Sequence, residues 1–236
     1  MKIQKSLFVM AVALGVVAMA TAQTEKQEIP SIIVTGNGVV RADPDVAYVR
    51  LGVTSRGKTA REAQAQTNAA IAKFYDALAA LRIERKDIQT SQLTLNPYYE
   101  NQPNQMPRIA GYEASNVLTV RLTDFAKIGP VIDAGVDSGV NNMQGVSFGL
   151  VDDTRVRLEA LRSAASEAKA KAEAIARALG VQLGDVLMVN EGGGYSPPMP
   201  MYDRGMVAEM KSEGAMVSPG QMDVNANVTI RFAIRK

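Results

Sequence analysis

The sequence predicts an α+β fold: two βαββ-like units forming an antiparallel or mixed sheet with helices packed on one face, after an N-terminal signal peptide. Three observations predict it. Asp45–Arg56 and Asp223–Arg235 alternate apolar and polar residues with period two, as half-buried strands do. The segments 59–82 and 153–179 instead repeat apolar residues every three or four positions, as amphipathic helices do. The order strand, helix, strand, long loop, strand also occurs twice, over 45–122 and 144–235. Strands separated by helices and apolar on one side layer into a sheet with helices on one face. Common descent of the two units and shared patterning without it both account for this order.

The first residues read as an export signal. Lys2 and Lys5 precede an unbroken apolar run, Leu7–Ala18, and Ala20-Thr21-Ala22 places small residues at the −3 and −1 positions. Cleavage is expected after Ala22, leaving Gln23 as the mature N-terminus. A membrane-spanning helix needs about 20 apolar residues, so the run is short for an anchor. No later segment reads as a membrane span. The expected division is a signal peptide over 1–22, a polar lead-in over 23–30 and one domain over 31–236, in the periplasm. Losing Lys2 and Lys5 leaves equal numbers of basic and acidic residues, so no footprint for nucleic acid is expected.

The chain has no cysteine, no histidine and no tryptophan. No disulfide can staple it, so the core alone must hold the fold. Ser-His-Asp and Cys-His catalysis are impossible, as are zinc or haem sites built on His or Cys. Any enzyme here would rest on carboxylates, lysines, serines or tyrosines.

The remaining elements follow in order. Ser31–Val40 is strand-like around Gly36-Asn37-Gly38; with no third glycine and no helix after it, this is not a dinucleotide loop, and a bulge or bend in the strand is expected. Asp43-Pro44-Asp45 is a turn. In the next strand Ala47, Val49, Leu51 and Val53 share a face. Thr59 and Glu62 form a capping box that starts a helix to about Arg82, with Ala63, Ala70, Ile71, Phe74, Ala77, Leu78 and Leu81 as its stripe. A strand over Ile88–Leu95 is followed by a loop with Pro97, Pro103 and Pro107, then a strand over Tyr112–Leu122.

Asp124 caps a short helix closed by Gly139, in which Pro130 predicts a kink or a late start. Val146, Phe148 and Leu150 mark a strand. The longest helix carries Leu158, Leu161, Ala165, Ala168, Ala172, Ile175 and Leu179 as its stripe and ends at Gly180. Its central alanines require whatever it packs on to come close. Its own sheet is the expected partner rather than a coiled coil. Val186–Val189 is a strand, a loop rich in Pro, Gly and Met reaches about Gly220, and Asp223–Arg235 closes the fold.

Three sets of residues invite chemistry. Met199, Met201, Met206, Met210, Met216 and Met222 cluster, and thioethers suit Cu(I) or serve as oxidant targets. Their spacing is irregular, so a loop without metal is the expectation. Asp43, Asp45, Asp152 and Asp153 are the tempting carboxylates, but each sits at a turn or helix start where capping explains it. Tyr98, Tyr99, Tyr112 and Tyr202 could line a partner surface. No catalytic, cofactor or metal residue is assigned.

The ordered pieces Val34-Thr35-Gly36-Asn37-Gly38, Asp43-Pro44-Asp45-Val46-Ala47, Gly57-Lys58-Thr59-Ala60, Lys86-Asp87-Ile88-Gln89-Thr90, Gly111-Tyr112, Val146-Ser147-Phe148-Gly149 and Ala178-Leu179-Gly180 complete the picture. With the closing strand, they make the chain resemble the SIMPL-domain family over about Ile32 to Ile234. That family includes exported periplasmic immunogenic proteins and oxidative-stress-defence proteins. The resemblance implies a periplasmic or surface location, no established enzymatic activity, a link to oxidative-stress tolerance and, for some members, homo-oligomers. It carries no catalytic residues, and the methionine-rich loop lies outside it. The expected function is therefore non-enzymatic, through self-assembly or an envelope partner, with Asp223–Arg235 as a candidate free edge. A passage-forming oligomer, a Met-loop copper carrier and a carboxylate-based hydrolase are the competing readings.

Overall fold

Period-two alternation over long segments is realised as two antiparallel sheets, each covered by its own helices. The computed structural model describes residues 29–100, 106–192, 199–201 and 218–236. The expected signal peptide, most of the lead-in, Tyr202, Met206, Met210 and Met216 lie outside the described residues. One sheet runs β1 (Ser31–Ala42), β8 (Gln221–Arg235), β6 (Gln182–Gly192), with the short β7 (Met199–Met201) also on β8. The other runs β3 (Ile88–Glu100), β4 (Arg108–Leu122), β2 (Val46–Gly57), β5 (Asn142–Gly149). Helices α1 (Ala60–Ala80) and α2 (Ile128–Asp137) cover the β2 sheet, and α3 (Thr154–Ala178) covers the β8 sheet.

The α+β class and the antiparallel pairing are as the pattern predicts, and the two units have matching layouts. Strands β3-β4-β2 with α1 correspond to β6-β8-β1 with α3. The second unit's first strand is β1, however, and not the segment over 144–150. That segment, β5, joins the first unit beside β2 from Val46↔Gly149 to Gly52↔Asn142. The segment from the start of the domain thus completes the unit at its end. β1 pairs with β8 over twelve residues without a register shift, so this closure is continuous.

Each sheet buries its own core. In the first, Ala47, Val49, Leu51 and Val53 of β2 meet Ile71, Phe74 and Leu78 of α1 and Val131 of α2. Thr67, fully buried in the α1 stripe, donates its hydroxyl to the Ala114 carbonyl at 3.3 Å, which satisfies it. Thr59 caps α1 by accepting from the Glu62 amide, while Glu62 reaches back to the Lys58 amide rather than to Thr59. Pro130 stands in the first turn of α2, where a missing N–H costs nothing, so the helix starts late rather than kinking.

The second core rests on an unusually close contact. The buried row of α3 is Val156, Ala160, Ala164, Ala168, Ala172 and Ala176, every fourth residue. Opposite it lie Gly36 and Gly38 of β1. A Cβ on Gly38 would sit 1.9 Å from the Ala160 carbonyl oxygen, and one on Gly36 would sit 2.0 Å from that of Ala164. These glycines are therefore neither bulge nor bend; they are the surface on which the helix backbone lies. The contact also rotates α3 away from the expected stripe. Only small side chains fit beneath it, so Leu158, Ile175 and Leu179 stand exposed.

Two further expectations change. β3 does not stop before Pro97 but runs through it to Glu100, making a long hairpin with β4. Proline is tolerated there because β3 is an edge strand, where its missing N–H breaks no ladder bond. β8, expected as a free edge, is the central strand of its sheet, flanked by β1 and β6.

Overpacking by a methyl group typically costs about 1–3 kcal/mol, and more against backbone. Gly38→Ala is expected to lower unfolding stability by about 3 kcal/mol or more in urea titration. Gly129→Ala in α2, where a Cβ meets nothing within 4 Å, should be neutral or gain up to about 1 kcal/mol. Equal effects at the two glycines would contradict the close contact.

Candidate functional site

The sheets are joined where the chain crosses between them twice. Asp43-Pro44-Asp45 leads from β1 to β2, and Leu150–Asp153 leads from β5 to α3. The two crossings are pinned side by side: the Asp45 amide donates to the Gly149 carbonyl at 3.1 Å, and the Val151 amide donates to Asp45 Oδ1 at 2.7 Å. A cleft of about 570 Å³ opens here, lined among others by Arg41, Asp43, Asp45, Asp152, Arg155 and Glu159. The fold thus gathers three of the four carboxylates singled out in the sequence.

Their partners define what they do. Asp43 Oδ1 accepts from the Gln221 amide side chain at 3.2 Å, and Asp45 latches the second crossing. Asp152, not Asp153, caps α3, accepting from the Thr154 amide at 2.9 Å. Hydrogen bonds from Thr154 hold the Asp152 carboxyl below its ordinary range. Asp153, beside the cleft, turns a buried Oδ2 to no hydrogen-bond partner. Arg41 pairs with Asp223 at 3.5 Å and Arg155 with Glu159 at 3.8 Å. A general acid needs a carboxyl pushed upward beside one that stays ionised. The shift at Asp152 runs the other way, and it is Asp45 that bridges the two crossings.

Among the described residues, no group of three or more acids is placed to hold a metal ion. Met222 is buried in the core, which removes its thioether from the methionine set. Tyr98 lies under the Arg56 guanidinium, 4.9 Å from the ring centroid, while Tyr99 is exposed beyond it and Tyr112 is half-buried.

Sheet edges are the second candidate. The outer edge of β1 is closed by α3: the Asn37 amide donates to Glu167, and Lys171 donates to the Thr35 carbonyl at 3.0 Å. Glu167 and Lys171 pair with each other at 3.2 Å. Charged side chains on an edge block further strands. At the opposite edge, β6 exposes four consecutive apolar residues, Val186 at 54 %, Leu187 at 39 %, Met188 at 46 % and Val189 at 61 %. In the sequence this run reads simply as a strand. Only the strand order reveals it as an edge.

A family profile described as "SIMPL: Protein of unknown function (DUF541)" matches residues 32–232. The chain belongs to the SIMPL family. The matched span takes in both sheets and all three helices. Among SIMPL relatives, a "26 kDa periplasmic immunogenic protein" of Brucella melitensis is 37% identical over 215 residues, covering 86% of this chain and 84% of its own. "Uncharacterized protein YggE" of Escherichia coli K12 is 28% identical over 209 residues, covering 89% of this chain and 82% of its own. YggE of Edwardsiella ictaluri is 27% identical over 236 residues, covering 98% and 99%. No helix among the described residues of this SIMPL chain is long and apolar enough to cross a membrane.

Glu167 gives the edge closure a pH signature. The Asn37 amide first, and Lys171 second, hold its carboxyl below the ordinary value of 4.5. The unfolded chain therefore binds the proton at higher pH than the folded one. The stabilisation is present in full above the unfolded pKa and is lost as pH falls through the depressed folded value. Glu167→Gln should lower the urea midpoint at pH 7 and leave it close to wild type at pH 2. A difference of the same size at both pH values would contradict the linkage.

Proposed function

We propose that this chain is an exported, periplasmic SIMPL protein that works by association, with copies of itself or with an envelope partner, rather than by catalysis. Its role on this reading is tolerance of envelope and oxidative stress. The observation that carries the reading is the uncovered apolar run Val186–Val189 on the β6 edge. Exposed apolar surface on a free edge is selected against unless something covers it. The periplasmic name of the Brucella relative and the leader pattern over 1–22 support the location. The engaged carboxylates of the cleft support a structural role for the residues best suited to acid–base work.

Osmotic-shock fractionation with cross-linking in intact cells tests this. The expected result is a chain beginning at Gln23 in the shock fluid, cross-linked into species heavier than one chain. A chain retaining Met1 in the cytoplasm would contradict export. Failure to cross-link at any reagent level would contradict association.

A further inference from the structure

A covalent weak point lies within the close seat of α3 on β1. Only one asparagine in the sequence, Asn37, is followed by glycine. This pair is disposed to cyclise, because the second residue's backbone nitrogen attacks the asparagine Cγ and glycine has no Cβ to hinder the approach. The Gly38 N–Cγ bond forms and the Cγ–Nδ2 bond breaks. Nδ2 leaves as ammonia, taking the Gly38 amide proton. Water, the one co-reactant, then opens the five-membered imide at either carbonyl and leaves aspartate or isoaspartate.

The folded strand opposes this reaction in three ways. The Asn37 N–H and the Thr35 carbonyl point outward, to Glu167 and Lys171. Amides alternate in direction along a strand, so the Gly38 N–H points inward, into the ladder opposite Ala226, and the attacking nitrogen is engaged. An antiparallel strand also holds ψ at about +135°, which turns that nitrogen away from Cγ, so the ring closes only after a large rotation. Finally, α3 leaves no room for the rotation. A Cβ on Gly38 would stand 1.9 Å from the Ala160 carbonyl oxygen, and one on Gly36 would stand 2.0 Å from that of Ala164. The Asn37 side chain itself is exposed. What holds it inert is the backbone, and the backbone is freed only when α3 and β1 part.

We propose that Asn37-Gly38 is a self-modification site, inert while α3 rests on β1 and reactive once they part, which makes a prolonged parting permanent. Isoaspartate carries the main chain through its Cβ, one atom longer between residues 37 and 38. β1 pairs with β8 over twelve residues without a shift, so the extra atom puts Gly38–Ala42 out of step with Ala226–Met222. Beneath the helix there is no free space to absorb it. The new carboxylate also stands beside the amide from which Glu167 accepts, so two negative charges meet there. β1 then no longer closes the second unit. The site is a covalent record of opening, written only on chains that have lost the seat. None of this requires association with a partner.

The test follows conversion at residue 37 by peptide mass, on the purified chain held at mildly alkaline pH across a urea series. On wild type, conversion should track the unfolded fraction and run at least about tenfold slower without urea than above the midpoint. Gly36→Ala crowds the seat but keeps the reactive pair, so it should convert faster than wild type without urea. Asn37→Gln, whose ring would need a sixth atom, should not convert. The isoaspartyl chain, isolated from urea and returned to buffer, should exchange hydrogen rapidly over Ile32–Val40, while Asn37→Asp stays as protected as wild type. Conversion as fast without urea as with it would overturn the protection, and no conversion in urea would overturn the site. A folded Gly36→Ala that converts no faster would overturn the link to the seat; if that variant does not fold, the wild-type urea series decides. An isoaspartyl chain as protected as Asn37→Asp would overturn the permanence.

Discussion

The close seat of α3 on β1 is the constraint on which the second half of the molecule depends. Backbone lies on backbone there, with only glycine beneath and alanine above. Burial of alanine returns little hydrophobic free energy per residue, so the gain comes from dispersion over a long, tight contact. The same closeness brings Glu167 and Lys171 within reach of the β1 backbone, which leucines in the seam would prevent. One geometric fact therefore explains the glycine pair, the alanine row, the exposed leucines and the closed edge.

A second consequence concerns how the units are tied. β1 leaves its own neighbour in sequence, β2, to join β8 at the other end of the chain. The connection to β2 must then cross between sheets, and the return crossing from β5 to α3 comes beside it. Asp45 holds the two crossings together through one backbone and one side-chain bond. Carboxylates that look catalytic in the sequence are concentrated at this junction because turns, caps and crossings all need short acceptors. Their gathering follows from topology.

Much of the fold was legible from residues 45–139, where local pattern and partner coincide. The period-two face of β2, the α1 stripe, its capping Thr59 and the late start at Pro130 all follow from short-range rules. The misplaced features depend on long-range choices. Gly36 and Gly38 have no local signature that separates a bulge from a landing surface. The α3 stripe was drawn through leucines because size ordinarily marks the buried face, and here size is excluded by the seat. β5 and β1 exchanged expected places since strand order is not written in periodicity. The β6 run illustrates the same limit: Val-Leu-Met-Val suits a central strand and an edge equally, and only the neighbours decide.

The most direct measurement is the exchange rate of one amide. Asn37 N–H lies on the outer edge of β1, where no strand among the described residues covers it, and is protected only if the glycine seat holds α3 close enough for Glu167 to receive it. Nuclear magnetic resonance on dilute protein at neutral pH should find this amide exchanging orders of magnitude more slowly than an unstructured peptide. Exchange at the unprotected rate would mean that the helix does not rest on the strand as described.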